Sequence, residues 1–311
     1  MIKQFNFYDV YGYLLPGIAL FALFWMPVGI LTQTWPEQDL SKALFLTVLS
    51  YIAGHVLQTV ANSVVPSTVP GPGKQRRFPS ELLLDKSNAR FTDAFKTRLA
   101  VSVAMKFGLD LKVTLDGNGA GEISTNRQIA FFQARSCLIA KKAEQYAQQF
   151  EGLYVMMRGL GCAFCSGAAY FVGWGLSIRR GDSAALNAIS TAVLAVTALA
   201  LLSALVAFFR DSAKRVANRF LSAFLLLASA GSGFVVGAWR FQPVANSTPF
   251  PNYPEFILWG GALLALFAAV RCFSAYKGFA FNFAETIWRD FSANLPDAEE
   301  PHQNAADGDD E

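Results

Sequence analysis

Charge is scarce in this chain. Asp, Glu, Lys and Arg make up 16% of it, against about 25% in soluble domains. No acidic residue lies well inside any long apolar run. That argues against an ion-coupled transporter, which buries carboxylates for its coupling ion. Histidine is limited to His55 and His302, which make no joint site. There is no GxxxxGK[ST] loop, nucleophile elbow or HExxH helix, so no enzyme chemistry, cofactor or metal is expected. The four cysteines, Cys137, Cys162, Cys165 and Cys272, lack the spacing of a secreted disulfide framework and fit a reduced setting. Cys162 and Cys165 have redox-pair spacing but sit in an apolar stretch with no second pair, so they read as small packing residues. Asp116-Gly117-Asn118-Gly119 opens like a calcium loop, yet Ala120 and Arg127 occupy positions that need ligands; a Gly-rich turn is the reading. Formal charge is +3, from 26 basic and 23 acidic residues, too little to imply specific nucleic-acid binding.

Apolar residues, by contrast, reach 53% and are gathered in blocks. The pattern predicts an all-α membrane protein with about six transmembrane helices in a 2 + 4 arrangement and a mostly helical cytosolic insertion between the second and third. The spans are Val10–Leu31, Ala43–Val65, Gly152–Ser177, Ala184–Phe209, Phe220–Trp239 and Phe256–Val270. The opening MIKQFNFYDVYGYLLPG carries one Lys and no small-residue cleavage site, so it reads as a retained first span. Pro16-Gly17 and Pro27 would kink that span or end it early. The domains follow: an N-terminal transmembrane hairpin (1–65), the insertion (66–151), a four-helix bundle (152–272), an interfacial or docking helix (273–295) and an acidic disordered tail (296–311).

The central stretch runs from Ser124 to Ser177. Asn126–Phe150 is helical in composition, with Ser124 or Thr125 as its N-cap. No Pro separates it from the apolar Gly152–Ser177, so one helical path is expected, bent if anywhere at Gly152, Gly159 or Gly161. Within the insertion, Phe91, Phe95, Leu99, Val103 and Phe107 recur every fourth residue, as on an amphipathic helix. At the C-terminal end, Phe273, Tyr276, Ala280, Phe283, Ile287 and Phe291 share one stripe. Such a helix would lie on the inner leaflet or pack on the insertion.

The insertion from Asn62 to Glu151 holds thirteen basic and eight acidic residues, a net +5. The Lys/Arg bias of the loops puts both termini inside. Lys74, Arg76, Arg77, Lys141 and Lys142 in the insertion, with Arg210, Lys214, Arg215 and Arg219 in a later loop, are the residues to meet anionic lipid or an acidic soluble partner. Arg158, early in span three, can snorkel to the inner surface.

Two constellations carry the functional reading. His55, Gln58 and Asn62, with Tyr51, are polar positions at three- or four-residue spacing inside span two. They would line a pore or relay protons, or else bond across helices with His55 neutral. Gly161, Cys165, Ala169 and Gly173 in span three, and Ser229, Gly233 and Gly237 in span five, form small-residue stripes. These suit close helix packing, within one chain or as a seam between copies of a homo-oligomer.

The opening Phe5-Asn6-Phe7-Tyr8-Asp9-Val10-Tyr11-Gly12-Tyr13-Leu14-Leu15-Pro16-Gly17 resembles the start of a group of uncharacterised bacterial multipass membrane proteins, some of them similar to membrane components of phage-defence systems. The resemblance covers under a tenth of the chain, and no functional residues carry over from it. It implies a bacterial inner-membrane effector that perturbs the membrane when a partner signals infection. The expected function is an oligomeric defence effector or pore-type protein, gated through its insertion. A non-conducting anchor or scaffold that docks a soluble partner is the other expectation, and a small-solute transporter a more distant third.

Overall fold

The structure, a computed structural model, describes residues 7–35, 39–65, 67–70, 76–111, 120–178, 226–237 and 254–294. A short turn, Phe7–Asp9, and a π-helical turn, Val10–Leu14, lead into α1 (Leu15–Thr32). Then come α2 (Leu40–Val64), a two-residue β1 (Val69–Pro70) antiparallel to β2 (Arg76–Arg77), α3 (Pro79–Leu82) and α4 (Asp93–Phe107). The chain continues through α5 (Ala120–Ala140), α6 (Gln145–Ile178), α7 (Leu226–Gly237) and α8 (Pro254–Ala293). The protein is all-α apart from that one pair of strands among the described residues. Four helices are long and apolar enough to cross a membrane: Val10–Leu31, Leu40–Ser63, Gln145–Ser177 and Phe256–Ala293. The expected fourth span, the Arg210–Arg219 loop, the Asp116–Gly119 turn and the acidic tail lie outside the described residues, as do the flanks of the fifth span.

Pro27 lies inside α1, which runs on to Thr32. Three local expectations are corrected. The central path is not one helix, because α5 stops at Ala140 and α6 begins at Gln145. Lys142 takes a left-handed φ of 56° there, its N–H donates to the Ile139 carbonyl and the Ala143 N–H to that of Leu138. This is a Schellman cap, usually built on Gly, and a Lys in that place hides it from a sequence reading. Helix α5 also starts earlier than expected, so Ser124 lies inside it and donates to Glu81 instead of capping. Finally, the stretch divided at Cys272 by the sequence is a single helix of 40 residues, α8.

The chain forms two compact units, Met1–Ser67 with Glu151–Gly278, and Thr68–Phe150 with Phe279–Glu311. In the first, Leu23, Leu31, Tyr170, Phe171, Trp174, Leu258 and Ala262 make one core cluster. Leu57, Ala61, Cys162 and Ala163 make another, with Phe273 packed on it. In the second, the later part of the expected C-terminal stripe, from Ala280 to Phe291, is buried against the insertion. Ile287, Trp288 and Phe291 are sealed from solvent, Phe291 stacks on Phe107 with ring centroids 5.5 Å apart, and Trp288 lies edge-on to Phe131 at 5.5 Å. The Trp288 indole N–H donates to the Ser80 carbonyl at 3.2 Å, so the ring is buried without an orphaned donor. Leu99 and Val103 of α4 are buried as their spacing requires, with Thr92 capping one end and Gly108, at φ 68°, the other.

Candidate functional site

Gln58 is the centre of the first unit. In an α-helix the carbonyl of Gly12 would accept from residue 16, but that residue is a proline with no N–H. The π-helical turn Val10–Leu14 lies at this point, and such turns are frequent at functional sites. Gln58 donates to the Gly12 carbonyl at 2.8 Å and to the Val155 carbonyl on α6 at 2.6 Å. Its side chain is buried, with Gly159 and Pro16 against it and the amide oxygen left without a partner. Close approach makes this reach possible, since a Cβ at Gly17 would strike the Ser50 carbonyl and one at Gly54 the Tyr13 carbonyl. One amide therefore ties the N-terminal turn, α2 and α6 together.

The other two members of the expected trio point elsewhere. His55 and Asn62 are exposed on α2, as is Thr59, whose hydroxyl donates to the His55 carbonyl at 2.9 Å. The His55 ring stacks on Tyr13 at 3.7 Å and meets Tyr51 edge-on at 4.7 Å. Among the described residues no hydrogen bond reaches its nitrogens. Tyr8 lies edge-on to Tyr13 at 5.6 Å, and burial first, then a hydrogen bond with Tyr13, raises its phenol well above the ordinary range. Gln58 is thus an internal brace, while His55 and Asn62 form an outward polar stripe.

The small-residue stripes of α6 and α7 meet each other within the chain. A Cβ at Gly173 would collide with the Ala230 carbonyl, and one at Gly233 with the Tyr170 carbonyl. Gly237 receives Ser177 and Trp174, Ser229 is buried, and Gly161 packs under the Phe273 ring. Cys165 and Ala169 are half-buried on the same helix. Arg158 does not snorkel outwards: it is buried, with its guanidinium 5.9 Å from the Tyr276 ring centre.

The second unit holds a buried ionic network that the sequence reading treated only as surface charge. Arg127 donates to Asp85 at 2.7 Å and to the carbonyls of Glu81 and Leu111, both at 3.2 Å. Lys96 donates to the carbonyls of Asp85 at 2.8 Å and Asn88 at 2.7 Å. Glu81 accepts from Ser124 at 2.5 Å and Gln128 at 2.7 Å. Glu81, Asp85, Lys96 and Arg127 are all buried, and their charges cancel, so the unit's basic excess stays on its surface. The Arg127–Asp85 and Gln128–Glu81 pairs lie more than 40 residues apart in sequence, a separation that no local spacing reveals.

Of the expected lipid- or partner-facing cations, Arg77 turns inward, 3.2 Å from both oxygens of Asp85. Arg76, Lys141 and Lys142 are exposed, Arg76 bonding Thr68 and Lys141 bonding Asn294 through their carbonyls. Lys74, Arg210, Lys214, Arg215 and Arg219 lie outside the described residues. A surface cavity of about 420 Å³ in this unit is lined by Ala143, Gln145, Tyr146, Thr286, Arg289 and Asp290. Among the described residues no group of three His, Cys, Asp or Glu side chains is placed to hold a metal ion. No protein-family model matches the chain, and neither a curated protein nor a solved structure does.

Proposed function

We propose that this is a bacterial inner-membrane, homo-oligomeric, non-enzymatic effector of the pore type, with six spans, both termini inside, and a cytosolic domain that receives the gating signal. The observation that carries the reading is the outward polar stripe of α2. Hydrocarbon offers no partner to an imidazole or a carboxamide, so a span exposing His55 and Asn62 calls for water or another copy beside it. Copies arranged around that stripe would enclose a polar path. The N-terminal resemblance to membrane components of phage defence supports the effector role, and the surface net charge of the insertion supports its cytosolic side.

The test is a membrane-potential dye in cells expressing the wild type, His55→Ala or Asn62→Ala, alone and with the neighbouring genes. Depolarisation by the wild type, lost in His55→Ala at equal expression, supports conduction. Cells that stay polarised while a soluble protein co-purifies through the insertion support the second reading, a non-conducting scaffold. The self-contained buried network and surface cavity of the second unit favour that alternative, because they suit a fixed docking module.

A further inference from the structure

Arg158 is a buried full charge with no counter-charge among the described residues. It is 8% exposed, and a guanidinium cannot shed its proton to escape burial. Its ring contact is with Tyr276, whose hydroxyl it also hydrogen-bonds, and Tyr154 stands edge-on to Tyr276 at 5.9 Å. Tyr276 brings no negative charge to this contact. The Arg158 Nε has no acceptor, and among the described residues no carboxylate pairs with this side chain. An aromatic face offsets only part of what an opposite charge would.

Position in the helix indicates which class of anion would suit this side chain. From Gly159 to Ile178 α6 carries no charged residue, a run of about the 20 residues that cross hydrocarbon. Arg158 is the last charge before that run, so a bilayer that took in the run would bring its headgroups to the level of this side chain. Guanidinium groups recognise phosphate through paired N–H donors. We propose that Arg158, flanked by Tyr154 and Tyr276, binds a phosphate-class anion, supplied either by an anionic lipid headgroup or by a soluble phosphate compound.

The full chain, purified in neutral detergent, would be titrated with phosphatidylglycerol, phosphatidylcholine and inorganic pyrophosphate, reading adducts by native mass spectrometry and Tm by thermal shift. The wild type is expected to hold phosphatidylglycerol about tenfold more tightly than Arg158→Lys, the loss typical of one charge-assisted hydrogen bond, and Arg158→Met to lose the preference entirely. Displacement by pyrophosphate assigns the site to a soluble anion; failure to displace assigns it to lipid. Without added anion, Arg158→Met is expected to melt no lower than the wild type, since it removes an unpaired charge. Equal anion retention by wild type and Arg158→Lys, or an anion-free Arg158→Met that melts well below the wild type, overturns the proposal.

Discussion

Arg127 and Asp85 meet at 2.7 Å with their side chains 1% and 6% exposed, across 42 residues of sequence. Asp85 also receives Arg77, so one carboxylate is shared by two guanidinium groups. Asp85→Ala would remove the carboxylate that faces the buried Arg127, a loss of about 3–5 kcal/mol. Limited proteolysis of the purified chain should show the Thr68–Phe150 segment opening far more readily, and wild-type resistance would remove the network from the account of stability.

Gln58→Leu keeps the bulk of the side chain and removes its donors. With Pro16 unable to serve the Gly12 carbonyl, the change should cost about 1–3 kcal/mol. Gln58→Glu should cost more, since a carboxylate would face two carbonyl oxygens. Thermal melts in detergent rank the two variants against the wild type.

His55→Ala gives up the stacking on Tyr13 and should cost about 0.5–1.5 kcal/mol, whereas Asn62→Ala alters an exposed position and should move stability by no more than about 0.5 kcal/mol. Under the proposed function, conductance and copy number fall nonetheless. Cross-linking and dye readouts at matched Tm separate these effects; unchanged assembly and potential would set the pore reading aside.

Gly173→Ala adds one methyl where the Ala230 carbonyl already sits. Backbones would have to part, and overpacking of this kind costs about 1–3 kcal/mol. A disulfide engineered between neighbouring α6 and α7 positions should form more slowly in the variant if the contact is internal to one chain.

Lys142→Gly should stabilise the protein by about 1 kcal/mol, because the left-handed conformation at φ 56° strains any residue with a Cβ. A higher Tm checks this, and a lower one would mean that the Lys142 side chain matters more than its backbone.

Apolar blocks were legible because hydrocarbon length and period impose themselves on every span. The α4 face at Leu99 and Val103 and the α8 stripe ending at Phe291 were legible for the same reason. The α5–α6 break was hidden because Lys142 replaces the usual Gly. Gln58 was flagged as polar in a span, but its role depends on a carbonyl freed by Pro16 on another helix. The ionic core was invisible, since Glu81 and Arg127 read individually as ordinary solvated charges.

Helix α8 has 40 residues, about 60 Å at 1.5 Å per residue, while the oily layer is about 30 Å thick. Roughly half of it must therefore lie beyond the shoreline of that layer, where Ile287, Trp288 and Phe291 are sealed within the second unit. Which side chain sits at that shoreline is decided by the lipids, so thickening the bilayer should draw additional turns of α8 under the surface.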